Sequence, residues 1–147
     1  MKKNNEFRVE DDMIMEYYGS GGEVIIPDGI QDIFFEVFYG NESISKVNIS
    51  GSVLDIASFT FEECSALKEV ILNEGVKSIG VNAFNCCSSL EILRLPLSIS
   101  RISSGAFANC ESLKEIYYAG SKQDFAMITK EEDWDENSRG YNLIFSK

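Results

Sequence analysis

Apolar residues recur along this chain at a fixed step of 23 positions, without a gap over four consecutive segments. Each segment has a phenylalanine at the same position, preceded by an isoleucine five positions earlier, and the same step links five strand-like pairs from Val24/Ile26 to Ile116/Tyr118. Fixed-period self-similarity of this kind is the signature of stacked supersecondary units. The pattern therefore predicts a solenoid. Its marker residues are Phe38, Phe61, Phe84, Phe107, Ile33, Ile56, Ile79 and Ile102.

Within a repeat, the pattern predicts a short strand, a turn, a second extended segment and one helical turn. In the third repeat these are residues 69–72, 73–75, 76–79 and 83–90. Alternation along the strand points Val70 and Leu72 inward and leaves Glu69 and Ile71 on the outer face. The fold class predicted is an α/β solenoid of about four repeats, built from short strands and helical or 3-10 turns.

Both ends of the chain show patterns of their own. Residues 7–9 and 13–15 flank Asp11 and Asp12 as a hairpin, and Ser121 is placed to cap a short helix over 124–128 before a last strand at 141–145. Terminal coils need caps because a coil this short cannot bury its own apolar face. We therefore expect one domain over 1–147, complete as a folding unit, with caps at 1–22 and 119–147 around repeats at 23–118.

Composition and charge limit the function. The chain has 147 residues, of which 44% are hydrophobic, and its net charge is −11, so phosphate backbones and anionic membranes are poor partners and a basic protein is the electrostatic default. No window is apolar enough for membrane insertion. The first residues lack the apolar stretch of a signal peptide, which predicts the cytoplasm, or the cell surface or medium if a leader was removed.

Three of the four cysteines share one repeat column: Cys64, Cys87 and Cys110, where the first repeat has Asn41. We expect small, buried, free thiols stacked on adjacent coils. A disulfide is an alternative, since coils about 4.8 Å apart fall within the Cα separation of about 4.4 to 6.8 Å that a disulfide needs. A metal site is a weaker alternative, because the thiols recur in a line and the chain has no histidine.

The outer face of the predicted strands is the candidate binding surface. Several of its positions are apolar where the repeat does not require it, and it includes arginine and tyrosine, which are enriched in binding hot spots. The plainer interpretation is that β-branched residues simply suit a strand. Five strands give a projected area of only about 250 to 300 Å². The candidate partner-binding residues are Ile25, Asn48, Glu69, Ile71, Ile92, Arg94, Glu115 and Tyr117.

Catalysis finds little support in the sequence. There is no histidine for acid–base chemistry and no glycine-rich phosphate loop, and paired carboxylates such as Glu62 and Glu63 fall in predicted exposed turns. The acidic run at 131–136 lacks the ligand spacing of a calcium loop. We expect no enzyme activity, no cofactor and no metal.

Two segments carry a resemblance to a known family: 83–90, Ala-Phe-Asn-Cys-Cys-Ser-Ser-Leu, followed by a strand and Leu95-Pro96, and 106–116, which repeats it. Together with 16–27 and 116–121 they resemble the BspA-like leucine-rich repeat over residues 16–128, although the first repeat departs at Val37 and Asn41. The resemblance implies a right-handed coil and a binding role, commonly in bacterial or protozoan surface proteins. The function expected is a non-catalytic protein-interaction module, and the alternative is a self-associating module, a homodimer, that uses the same face.

Overall fold

The computed structural model describes residues 6–138 and 140–147, and its secondary structure consists of short strands with one short helix. The elements are β1 (Phe7–Glu10), β2 (Met13–Tyr17), β3 (Gly22–Ile26), β4 (Asp32–Ile33), β5 (Ile44–Ile49), β6 (Asp55–Ile56), β7 (Glu69–Leu72), β8 (Ser78–Ile79), β9 (Ile92–Leu95), β10 (Arg101–Ile102), β11 (Glu115–Tyr118), α1 (Lys122–Ala126), β12 (Thr129–Lys130) and β13 (Asn142–Phe145).

One long parallel sheet runs the length of the molecule. Its six strands follow the order β3, β5, β7, β9, β11, β13, so each turn of the chain adds one strand beside the last. In the first five strands, valine, leucine or isoleucine points inward and is fully buried, as the period-2 pattern predicts, whereas Leu143 of β13 is only partly buried. The inward residues of the first five strands at this level are Val24, Val47, Val70, Leu93 and Ile116.

A second parallel sheet forms from the two-residue strands β6, β8, β10 and β12. The strand β4 of the first coil instead pairs with β2, and β2 pairs antiparallel with β1. The β1–β2 hairpin therefore lies where it is predicted, and its turn residues Asp11 and Asp12 have φ of 50° and 63°, the left-handed pair typical of a tight hairpin turn. The fold is a β-solenoid of about six turns.

The phenylalanines of four successive coils stack face to face in the core. Ring centroids of Phe38, Phe61, Phe84 and Phe107 are 5.0, 5.1 and 5.0 Å apart, with planes 11°, 3° and 4° from parallel. At one end of the stack, Tyr17 lies 5.2 Å from Phe38 in a tilted arrangement, and at the other, Trp134 lies 6.2 Å from Phe107 in an edge-to-face arrangement. This aromatic column, together with the inward aliphatic residues, is the core that the 23-residue period predicts.

The prediction of a helical turn at 83–90 is wrong. The chain there forms consecutive hydrogen-bonded turns, whose backbone bonds alternate between its own coil and the next: Ala83 N–H donates to Gly80 O at 3.2 Å, whereas Phe84 N–H donates to Ala106 O at 2.8 Å. The φ angles of Asn82 and Cys86 are 55° and 64°, and residues in that region interrupt a right-handed helix. Helix content is therefore low.

After the last strict repeat, residues 119–145 follow another turn of the coil with α1 inserted. Ser121 caps α1 as predicted, in a reciprocal capping box with Asp124, although the helix is Lys122–Ala126 and not 124–128. Phe107 N–H donates to Trp134 O at 2.8 Å, as Phe84 N–H does to Ala106 O, so Trp134 takes the position that alanine holds in earlier coils, and its ring lies 6.2 Å from that of Phe107. The count of about four repeats is thus lower than the number of turns formed. The proposed boundaries of the end caps stay predictions.

Candidate interaction surface

The structure brings all eight candidate residues together on the outer face of the long sheet. They lie in two rows that cross the strands. We call all residues of these two rows, the eight candidates and their neighbours, the strand face. Ladder pairing sets the rows in register. The first row is Ile25, Asn48, Ile71, Arg94, Tyr117 and Ile144, and the second is Glu23, Lys46, Glu69, Ile92, Glu115 and Asn142.

Charged side chains on this face are paired across neighbouring strands. Lys46 Nζ lies 3.6 Å from Glu69 Oε1 and 4.0 Å from Glu23 Oε2. On the other side of Glu69, Arg94 Nε donates to its Oε2 at 2.9 Å. This hydrogen bond is the main reason that the pKa of Glu69 is lowered, and the charge of Lys46 adds to it. Glu69 is therefore an anion held between two cations.

Arg94 and Tyr117 form a second linked pair on the same face. The guanidinium carbon of Arg94 lies 4.4 Å from the centroid of the Tyr117 ring, within cation–π range. The Tyr117 hydroxyl donates to Glu115 Oε1 at 2.8 Å, and this bond raises the pKa of Tyr117. The sequence placed these residues side by side but did not show that they bind one another. The opposite charges of Glu69 and Arg94 on neighbouring strands are the signal that would have indicated part of this bonding.

At the β3 end, the first row of the face exposes an isoleucine that is bordered by amides. Ile25 is 54% exposed. Beside it, Asn73 Nδ2 donates to Asn48 Oδ1 at 2.6 Å and to Ile49 O at 2.8 Å, which fixes both amides. A depression of about 610 Å³ is lined here by Ile25, Asn48 and Asn73 among others. Asn73 belongs to this edge although sequence reasoning assigned it only to a turn.

The cysteine column lies in the core, away from this face. All four cysteines are free, and Cys64, Cys87 and Cys110 are fully buried, which confirms the predicted column. Burial raises the pKa of Cys64 and Cys110 to about 12 and that of Cys87 well above its ordinary value. Thiols held protonated in this way are poor nucleophiles and poor metal ligands.

Neither a cluster of metal ligands nor a membrane-spanning helix is found in the described part of the chain. Across 6–138 and 140–147, no three or more His, Cys, Asp or Glu side chains are arranged to hold a metal ion. Within the same residues, no helix has the length and apolar character that crossing a membrane requires.

Stacked coils, a continuous parallel sheet and a buried aliphatic and aromatic column define a leucine-rich repeat solenoid. The model of the BspA type leucine rich repeat region matches residues 16–127 with 6 copies, so this chain belongs to the BspA-type leucine-rich repeat family. Solenoids of this family are generally non-catalytic and generally act in protein interactions. None of the curated proteins matches the chain.

Several solved bacterial structures share the fold. A leucine rich cell surface protein from Faecalibacterium prausnitzii A2-165 is 27% identical with a TM-score of 0.70, over 78% of this chain and 32% of that one. The leucine rich repeat protein of T. pallidum is 23% identical with a TM-score of 0.56, over 77% of this chain and 69% of its own. A leucine-rich repeat protein from Bacteroides ovatus ATCC 8483 is 22% identical with a TM-score of 0.52, over 86% of this chain and 42% of that one. The chain thus spans about a third of the Faecalibacterium protein.

Proposed function

We propose that this chain is a non-catalytic protein-binding module that contacts its partner through the strand face. The observation that carries the proposal is the fixed arrangement of Glu69, Arg94, Tyr117 and Glu115, whose side chains are linked by hydrogen bonds and a cation–π contact. Side chains that are already ordered before binding lose less conformational entropy when a partner arrives. A pre-ordered arginine and tyrosine at the centre of a sheet match the composition of binding hot spots.

Charge favours a basic partner. The chain carries a net charge of −11, which produces a negative field that attracts positively charged proteins and accelerates their association. On the face itself the carboxylates of Glu23, Glu69 and Glu115 outnumber the cations of Lys46 and Arg94. A partner surface with exposed lysine or arginine beside an aromatic or aliphatic residue would complement it.

The area of the face limits the strength of binding. Six strands about 4.8 Å apart and about 13 Å long give a projected area of roughly 350 Å². A standard protein interface buries about 800 Å² on each partner. We therefore propose weak binding by the strand face alone, with the neighbouring loops extending the contact in any tighter complex.

Self-association is the second candidate function. It is favoured by the apolar side chains of Ile25, Ile71 and Ile92 on the outer face, of which Ile25 is more than half exposed. It is opposed by the mutual repulsion of two chains that each carry a charge of −11. A molecular mass that rises with concentration would support this candidate.

Comparative capture from host and environmental protein mixtures tests the strand face. Wild type, Arg94→Ala/Tyr117→Ala and Met127→Ser are immobilised at equal density, and the retained proteins are quantified by mass spectrometry. Met127 is 82% exposed, lies outside the strand face and is the control. We expect at least one protein that wild type and Met127→Ser retain equally and that the double variant retains at least about tenfold less, as hot-spot truncation does. Equal retention by all three baits would overturn the proposal.

A further inference from the structure

Away from the strand face, a second apolar surface lies where the chain leaves the short strands of the first coils. Phe34, Phe35, Phe59 and Val81 are 37%, 41%, 38% and 40% exposed, and we call these four residues the aromatic corner. The rings of Phe34 and Phe35 lie 5.0 Å apart, and Phe59 N–H donates to Val81 O at 3.0 Å. Phe35 and Val81 hold one repeat column two coils apart, and Phe59 lies one position past that column in the coil between them, so the corner spans three adjacent coils.

Phe59 is held in a conformation that its residue type disfavours. Its φ is 66°, in the left-handed region, where a bulky L-residue costs about 1 to 2 kcal/mol. The same position is Asn82 in the next coil and Gly105 in the one after, with φ of 55° and 69°, and both types tolerate this region. The fold therefore does not require phenylalanine here. Since strain of this kind persists mainly at functional sites, an exposed and strained aromatic indicates a function other than packing.

Carboxylates flank the corner along these coils. Asp32 and Asp55 precede it on β4 and β6, and Glu36 holds the position of Phe59 in the first coil. Glu62 follows Phe59 by three residues and accepts from Asn85 Nδ2 at 2.8 Å, while Asp55 accepts from the Ser78 hydroxyl at 2.5 Å. Glu63 and then Glu62 raise the pKa of the exposed Tyr39 hydroxyl by their charge, as neighbouring carboxylates do to a phenol.

A groove of about 450 Å³ adjoins the corner between the first coil and the hairpin. Phe34 and Glu36 line one wall, and Tyr17 and Arg8 line the other. Arg8 is bound to Glu16 at 2.8 Å and also pairs with Glu10, so its charge is compensated within the hairpin. The groove gives a bound segment a concave surface of mixed polar and apolar character, with the carboxylates of Glu16 and Glu36 in its lining.

We propose that the aromatic corner is a docking surface for a basic amphipathic segment of another protein. Apolar side chains of the segment pack on Phe34, Phe35 and Phe59, and its lysine or arginine residues lie against Glu36, Asp55 and Glu62. A second copy of this chain does not match this chemistry, because two corners of the same kind would bring their carboxylates together. This surface is separate from the strand face and binds independently of it.

Two substitutions test the corner without disturbing the fold, because each copies the residue of a neighbouring coil. Phe59→Asn takes the residue of Asn82, and Val81→Ser takes that of Ser104. Arg94→Ala/Tyr117→Ala is the control for the other face. The probes are three short fluorescent helical peptides: one of leucine and lysine in amphipathic order, one with glutamate replacing lysine, and one with serine replacing leucine. Binding is measured by fluorescence anisotropy.

We expect the leucine–lysine peptide to bind wild type and the strand-face double variant with equal affinity. Its affinity for Phe59→Asn should be at least about tenfold lower, as is typical when an aromatic anchor is lost. The two other peptides should bind far less than the first. The melting temperature of Phe59→Asn should equal or exceed that of wild type, because asparagine relieves the strain. Undiminished binding by both Phe59→Asn and Val81→Ser, binding of either control peptide as tight as that of the leucine–lysine peptide, or a homodimer that Phe59→Asn dissociates would overturn the proposal.

Discussion

One small hydrogen-bond donor per coil satisfies the carbonyl oxygen of the phenylalanine one coil back. The thiols of Cys64, Cys87 and Cys110 donate to the carbonyls of Phe38, Phe61 and Phe84 at 3.0, 3.2 and 3.3 Å. In the last turn, the Ser138 hydroxyl donates to Phe107 O at 2.6 Å. The sequence revealed the three cysteines through their spacing but not Ser138, because the last turn is longer than 23 residues. The column is therefore defined by its donors and not by cysteine chemistry.

Because the pKa values of these thiols are raised in the fold, the free energy of unfolding should fall at alkaline pH. In the unfolded chain the thiols titrate near their ordinary value of 9.0, whereas Cys64 and Cys110 do so at about 12 in the fold. Below about pH 9 both states are protonated and the full stability is present. As pH rises from about 9 to about 12, the unfolded chain releases protons that the fold retains, so the free energy of unfolding falls.

Replacing all three buried cysteines by serine should weaken this dependence, because a serine hydroxyl keeps a donor but does not ionise in that range. Urea unfolding of wild type and the triple variant at about pH 8 and about pH 10.5 measures the difference. We expect wild type to lose more stability than the variant between the two conditions. Equal losses would show that the thiols do not titrate as their burial indicates.

At the scale of elements, strands were predictable and the connecting turns were not. Period-2 alternation fixes which side of a strand is buried, so β7 and β9 have the predicted inward residues. Spacings of three and four residues around Phe84 fit a helical turn and a series of separate turns equally well, because both arrangements direct the same side chains inward. The difference depends on left-handed residues such as Glu63, Cys86 and Asn109, and only asparagine and glycine signal that conformation in a sequence.

The last turn shows a second limit of the repeat. Lys130 pairs with Ile102 and so occupies the column that holds isoleucine in earlier coils. Its Nζ donates to Phe125 O at 2.9 Å and Ile128 O at 3.1 Å, and desolvation lowers its pKa. The ammonium thus satisfies carbonyls at and beyond the end of α1, as basic residues do at helix C-termini. A fixed 23-residue step cannot predict this role, because the residues of α1 lengthen the last turn beyond 23 residues and a lysine stands where earlier coils have isoleucine.

The aromatic column predicts a large effect of truncating a central ring. Phe84 is fully buried and stacked on both faces, so Phe84→Ala should cost about 3 to 5 kcal/mol of unfolding free energy. Phe59→Asn is the matched control, since it removes an exposed phenylalanine from the neighbouring coil. Chemical denaturation of both variants measures the two costs. A Phe84→Ala protein as stable as wild type would contradict the assigned core.

For the whole molecule, the repeat predicted the position of the strand face but not its internal bonding. Placement of Arg94 and Tyr117 in one row followed from the 23-residue step, whereas the bonds from Arg94 to Glu69 and from Tyr117 to Glu115 depend on side-chain rotamers that no spacing specifies. The aromatic corner was missed for a different reason: its phenylalanines lie off the repeat columns, and off-column apolar residues are common on protein surfaces.

Molecular mass in solution tests most directly whether the strand face is available to a partner. Light scattering coupled to size exclusion is measured for wild type and Ile71→Lys over about a hundredfold range of concentration, since self-association follows mass action. Ile71 lies near the middle of the face, where a lysine would disrupt an apolar contact between copies. The account predicts a monomer of 16.5 kDa for both proteins throughout. A wild-type dimer that Ile71→Lys dissociates would contradict it and assign the face to self-association.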